Sequence, residues 1–212
     1  MLCLSSLQQA NVILVALAPI LKYRNHLHMD RDVFILSAES AINPAEAIRQ
    51  SLVIVDIDPS RVQDAVFGSD GSFSLPDVIQ ITREAGLTCP AVSVASGLRA
   101  VFFAAQSILS GDLELVFVID LGKDISIALL LASPDSVGRF NLLPRARLAA
   151  RSLSGTAAAL RAAGLAPEEI TVVKEGKDGA LSVKELVEEL EENQAQWGLL
   201  SIGQSALLVE RI

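Results

Sequence analysis

Residues 91–111 read AVSVASGLRAVFFAAQSILSG. Ala91–Val94 is a short apolar run with two valines, and it suits a strand better than a helix. Ser96–Leu109 after it reads as a helix that carries almost no polar face. Such a helix is expected to be buried all round, with Gly111 closing it. A strand that runs straight into a buried helix places the helix over a sheet, which makes the fold class α/β.

The same alternation extends both ways from this stretch. Upstream, Val33–Ser37 is an apolar strand. Pro44 is placed to open a helix carrying Ala45, Ile48, Leu52 and Val55 on one face. The turn Asp58-Pro59-Ser60 leads to a strand at Ala65–Phe67, and a helix over Leu75–Ala85 ends at Gly86. Downstream, Leu115–Leu121 and Ile125–Ala132 are strands joined by Gly122-Lys123-Asp124, a spacing that suits a tight hairpin.

The pattern then restarts. Arg145–Ala150 reads as a strand, Thr156–Ala163 as a helix ending at Gly164, and Ile170–Val173 as a strand. Ser182 with Glu185 forms a capping box that opens a helix, with Val183, Leu186, Val187 and Leu190 on one face. Leu199–Ile202 and Ala206–Glu210 close the chain. The two halves are βαβαβαββ and a shortened βαβαββ, an internal duplication. The expected organisation is an extension at 1–31, a first half at 32–137 and a second, shortened half at 138–212, the halves packing as one domain.

Composition narrows the function classes. Of 212 residues 51% are apolar and 20% charged, enough for a sizeable core. A formal net charge of -8 argues against nucleic acid and anionic membrane as partners, and 4% aromatic residues leave few base-stacking platforms. Two cysteines, Cys3 and Cys89, make neither a disulfide framework nor a thiolate metal cage, and their use fits a reducing cytoplasmic setting. His26 and His28 are the only histidines, and both precede the main body. The apolar run Ala10–Leu21 has 12 residues, short of the roughly 20 that span a bilayer. No basic residue precedes Lys22, as a secretory signal would want, and Met29 directly before the first strand is an alternative start. An extra packing helix or a misplaced start is the expected reading of this extension.

The quoted stretch resembles the nucleophile-bearing segment of the thiolase superfamily, where a strand ends at C-x-S-G-L-(K/R)-A and a buried helix runs to Gly-Asp. Ala95-Ser96-Gly97-Leu98-Arg99-Ala100 and Gly111-Asp112 match that pattern. DVFILSA is similar to a thiolase first strand. ALLLASPDSVGRFNLLPRARL resembles the start of the second half, AALRAAGLAPEEI its next helix, and WGLLSIGQSALLVERI the last two strands around C-x-G-G-G. The resemblance covers about residues 32–212 in order. It implies a layered α-β-α-β-α fold built from two pseudo-repeats, the second abridged. Because Leu121-Gly122-Lys123-Asp124 bridges two strands directly, it implies no loop (lid) domain over CoA.

The departures concern chemistry. By the resemblance the nucleophile position is Val94, and valine cannot attack a thioester. The second thiolase cysteine corresponds to Ser201 in Ser201-Ile202-Gly203, and a serine without a base is a poor proton carrier. The family's histidine loop corresponds to Val173–Ala180, VKEGKDGA, which has no histidine, and the N-E-A-F loop is absent. Cys89 lies about 16 Å from the helix terminus at ~3.3 Å per strand residue, and is read as an ordinary structural residue. The expected catalytic set is therefore none, with Val94, Ser96, Gly97, Ser201 and Gly203 as degenerate site positions. No cofactor and no metal are implied.

Bland readings suit the remaining features. Arg99 is expected to pair with a carboxylate or a carbonyl, with a ligand role as the alternative. FGSDGS at Phe67–Ser72 lacks the lysine and spacing of a phosphate loop and reads as a turn. Lys174, Lys177 and Lys184 alternate with Glu175, Asp178 and Glu185 as a solvated mixed-charge surface, and Glu185–Glu192 is the solvated side of a helix.

The resulting expectation is a noncatalytic structural or regulatory subunit in acyl-CoA or acyl-thioester metabolism, cytoplasmic. It would pair with itself through the strand Ala91–Val94, as family members do, or with a full-length thiolase-like enzyme. Two alternatives stand beside it: an acyltransferase of the acyl-CoA C-acetyltransferase type working through Ser96 or Ser201 with a carboxylate, and an acyl or fatty-acid binder using the pocket at the helix N-terminus of Ser96.

Overall fold

A computed structural model describes residues 32–69, 73–176 and 179–212. The expected extension at 1–31, Lys177, Asp178 and the end of the FGSDGS segment lie outside the described residues. In chain order the elements are β1 (Phe34–Ala41), α1 (Pro44–Val55), β2 (Asp64–Gly68), α2 (Leu75–Glu84) and β3 (Ala91–Val94). They continue with α3 (Gly97–Ser110), β4 (Leu115–Leu121), β5 (Ser126–Ala132), α4 (Pro134–Phe140) and β6 (Ala146–Ser152). The last are α5 (Thr156–Ala163), β7 (Val172–Glu175), α6 (Gly179–Glu192), β8 (Trp197–Ile202) and β9 (Ser205–Arg211).

The strands form one sheet in the order β3-β2-β4-β5-β1-β6-β9-β8-β7. In the first half β3, β2 and β4 are parallel, and β5 runs antiparallel to both β4 and β1. The second half repeats this: β6, β9, β8 and β7 stand as β1, β5, β4 and β2 do, with β7 parallel to β8. It has no described counterpart of β3. The halves join through two residue pairs only, Phe34 with Arg147 and Ile35 with Ala146.

Side-chain alternation sorts the strands into layers. In β4, Leu115, Phe117, Ile119 and Leu121 pack outward with α1 and α2, whereas Val116 and Val118 pack inward with α3 and α6. In β8 and β9, Leu200, Leu207 and Val209 join the same inner cluster, while Leu199, Ala206 and Leu208 pack against Ala159 and Leu160 of α5. The result is helix, sheet, helix, sheet, helix, with α3 and α6 in the middle. Strand β5 is buried along its whole length, which explains its unbroken apolar run SIALLLA. Burial of Leu129, Leu130 and Leu131 stabilises the fold by about 1.5–3 kcal/mol each.

Local chemistry sets the helix ends. The Ala45 N–H donates to the Asn43 side chain at 2.9 Å, with Pro44 in the first turn of α1. The Ser74 N–H donates to Asp77 Oδ2 at 2.7 Å at the start of α2. The Arg99 N–H donates to Ser96 Oγ at 3.3 Å, so Ser96 caps α3 and is not its first helical residue.

Four expectations need correction. Helix α3 is not buried all round: Arg99, Phe103, Gln106 and Ser110, spaced by four, three and four residues, form one exposed line, and Phe103 is 44% exposed. Ser182 and Glu185 do not open a helix. Helix α6 already begins at Gly179, so Ser182 is buried inside it and Glu185 pairs instead with Lys174 at 3.0 Å. The junction between halves carries an unanticipated helix, α4, capped by Ser133 Oγ accepting the Ser136 N–H and ended by Asn141 at φ 51°. Strand β7 is Val172–Glu175, two residues later than its apolar pattern suggests, because the parallel register with Gly198–Ser201 fixes it.

Candidate functional site

At the carboxyl ends of β2, β3 and β4 the chain turns into loops and helix starts, the place where open α/β sheets present concave surfaces. A cleft of about 520 Å³ lies there. Its walls come from Ser69 after β2, Ala95–Gly97 between β3 and α3, Asp120 and Leu121 ending β4, the turn Gly122–Ile125, and Gly179 and Leu181 of α6.

The floor of the cleft is made where two helices meet N-terminus to N-terminus. Three glycines permit the approach. A β-carbon on Gly68 would lie 2.4 Å from the Gly97 backbone, and one on Gly179 would lie 1.9 Å from the Leu98 nitrogen. Neither distance is tolerated by any other residue type, so glycine is required by backbone contact. On Gly97 a β-carbon would lie 1.9 Å from Asp120 Oδ2 and 2.6 Å from Oδ1, so a carboxylate is seated on the first residue of α3. The same Asp120 Oδ2 accepts the Ala180 N–H at 3.0 Å in the first turn of α6. Strand parity aims it there: Asp120 follows Val116 and Val118 on the inward face of β4.

The residues singled out in the sequence divide by place. Ser96 and Gly97 line the cleft. Val94 does not: it pairs in register with Gly68, is half-buried and packs against the central core beside α3 and α6. Ser201 is not among the lining residues either. It pairs with Ala206 in β9, and alternation puts it on the face of Leu199 and away from Leu200. Gly203 sits at φ 57° in the turn between β8 and β9, a left-handed conformation that favours glycine. What the sequence reading missed is Asp120. Its signal was present: one charged residue in the apolar strand LVFVIDL, at an inward position.

Other candidates fall to structural roles. Cys89 is half-buried against the outer core, and burial, followed by the Asp64 carboxylate, pushes its thiol up to about 11. It is not an activated thiol. Arg99 is exposed, and its side chain makes no ion pair among the described residues, contrary to the expected pairing. Lys174 pairs with Glu185 at 3.0 Å and Glu189 at 3.8 Å, and Lys184 pairs with Glu188, as a mixed-charge surface would. A second hollow of about 580 Å³, between Thr171, Trp197 and the end of α6, holds Glu169 and Glu189 but no cysteine, histidine or basic residue. Among the described residues no cluster of three or more potential metal ligands occurs. None of their helices is long and apolar enough to cross a membrane.

No protein-family model and no curated protein matches the chain by sequence. Solved structures match it by shape. Human mitochondrial 3-ketoacyl-CoA thiolase, in a crystal structure of its complex with CoA, superposes with a TM-score of 0.74 at 12% identity, covering 86% of this chain and 98% of that one. A second crystal structure of the same human enzyme gives 0.75 at 11% identity, covering 86% and 99%. The chain has a thiolase-like fold.

Proposed function

We propose that this protein is a noncatalytic subunit of acyl-CoA or acyl-thioester metabolism in the cytoplasm, built on a thiolase-like fold and working by association. The observation that carries this reading is Val94. The strand-to-helix turn that resembles the thiolase nucleophile segment brings an aliphatic side chain, and that side chain packs into the central core while the cleft floor is taken by a carboxylate. No described residue is a histidine, so among the described residues neither Ser96 nor Ser201 has an imidazole beside it, and a serine hydroxyl without a base is a weak nucleophile. Ser96 is also engaged as the cap of α3.

The partner is a second copy of this chain or a complete thiolase-like enzyme, seated along β3. That strand is an edge of the sheet. The Ala65 and Ser69 N–H groups donate to the carbonyls of Pro90 and Val94, so the intervening Ala91 and Ser93 turn their backbone groups outward, away from β2. An unpaired edge of this kind is a template for another strand.

Two measurements test the proposal. CoA-dependent cleavage of a 3-ketoacyl-CoA, followed as loss of the substrate's absorbance, is expected to stay at the uncatalysed rate in the native chain and in Val94→Cys. Native mass spectrometry of the gently purified protein is expected to give a homodimer or a heteromer with an enzyme of the same fold. Turnover by the native chain that disappears in Ser96→Ala would establish the acyltransferase reading instead. A monomer stabilised by fatty acids or acyl-CoA would establish the binder reading.

A further inference from the structure

We infer that Asp120 is the cleft's own anionic ligand: its carboxylate fills the place that two facing helix N-termini prepare for a negative charge, and so closes the cleft to carboxylates and thioester oxygens from outside. The class of ligand excluded rests on the proposed acyl-metabolic role; the occupancy itself rests only on geometry.

Each helix N-terminus carries roughly half a positive charge, from N–H groups that lack partners within the helix. Gly179 touches Leu98, so α3 and α6 bring two such ends together. Two like partial charges in contact, beside a core of valines and leucines, are unfavourable without an anion between them. Asp120 supplies it. One oxygen accepts the Ala180 N–H of α6 at 3.0 Å, and both oxygens lie over Gly97 of α3, where a β-carbon would be 1.9 and 2.6 Å from them. A carboxylate in contact with both helix starts is positioned as a bound acid would be, but it is tethered to β4. Among the described lining residues Asp124 adds a second negative charge, against one cation, Lys123.

The test uses the full chain with Asp120→Gly, which removes the side chain and leaves a hole the size of a small carboxylic acid. Thermal unfolding midpoints are compared in sodium formate and in sodium chloride at equal ionic strength. Asp120→Gly is expected to melt below the native protein and to recover in formate, saturably, by roughly 3–6 °C when formate exceeds its dissociation constant tenfold. The native chain, its site filled, is expected to show no difference between the two salts. Asp120→Asn keeps the shape without the charge; it is expected to melt lower than the native chain and to gain nothing from formate. An Asp120→Asn chain as stable as the native one would overturn the inference, also where Asp120→Gly does not fold. Equal response of the Gly variant and the native chain to formate would overturn it as well. Thiolytic turnover by the native chain would defeat the proposed function and leave these melting results unchanged.

Discussion

Gly179, the first residue of α6, lies against Leu98 of α3 so closely that a β-carbon there would sit 1.9 Å from the Leu98 nitrogen and 2.5 Å from the Gly97 carbonyl carbon. The two central helices therefore meet backbone to backbone. Gly179→Ala is expected to lower stability by about 1–3 kcal/mol, the range for overpacking a close-packed interior. The comparison Gly138→Ala, in α4 where nothing lies within 4 Å, is expected to leave stability unchanged or slightly raised. Urea denaturation of both variants checks this, and equal midpoints would contradict the close approach.

Ser93 is exposed in the edge strand β3, and the pairing of Pro90 and Val94 with β2 leaves its N–H facing outward. Ser93→Pro removes that donor without removing a bond to β2. The fold is expected to survive, as judged by circular dichroism, while any dimer seen by native mass spectrometry or sedimentation shifts to monomer. A dimer of unchanged strength would show that association uses another face.

Cys89 has a thiol raised to about 11, first by burial and then by the neighbouring Asp64 carboxylate. In a Cys3→Ser chain, where Cys89 alone reports, iodoacetamide at pH 8 is expected to react about 250-fold more slowly than with the unfolded chain. About a thousandth of the thiol is then ionised, against about a quarter for an ordinary one. The sign for stability follows from the same shift. The folded state holds the proton more tightly, so the contribution is complete below the ordinary thiol range and declines as pH rises through about 11. Alkylation as fast in the folded as in the unfolded chain would refute the buried placement.

Arg145 reaches Glu191 of α6 with two hydrogen bonds, Nε to Oε1 at 2.8 Å and Nη2 to Oε2 at 2.6 Å, and stands 4.0 Å from Glu39 of β1. The Glu191 hydrogen bonds raise its pKa further above the already high arginine value. This fork ties the central helix to the narrow join of the two half-sheets, whose β1–β6 pairing has only two residue pairs. Arg145→Met is expected to lower stability by about 1 kcal/mol, with the loss shrinking in 1 M salt. Arg145→Lys is expected to recover less than half of it, since an ammonium cannot form the fork. A salt-independent loss in Arg145→Met would point to packing by the aliphatic stem.

The local chemistry of the chain was enough to set the class and order of the fold. Alternating strands and helices, Pro44, Gly86, Gly111 and Gly164 at element ends, and the strand-to-helix run at 91–111 are signals within a few residues of what they control. The resemblance at Ala95–Gly97 fell on a strand-to-helix turn that lines the cleft, a feature likewise local in the chain. Tertiary structure decided the rest. Whether α3 is covered on every side depends on what the second half brings beside it, and β7 took its register from β8, distant in the chain. Ser182 lost its cap role because α6 already runs from Gly179, a residue packed against Leu98, far upstream. The occupant of the cleft is the clearest case. Asp120 is an inward residue by the parity of its own strand, but that its carboxylate meets Gly97 and Ala180, the latter 60 residues away in the chain, follows only when β4, α3 and α6 converge. A sequence displays its short-range chemistry directly; a charge placed between two helix ends exists only once the packing that joins them does.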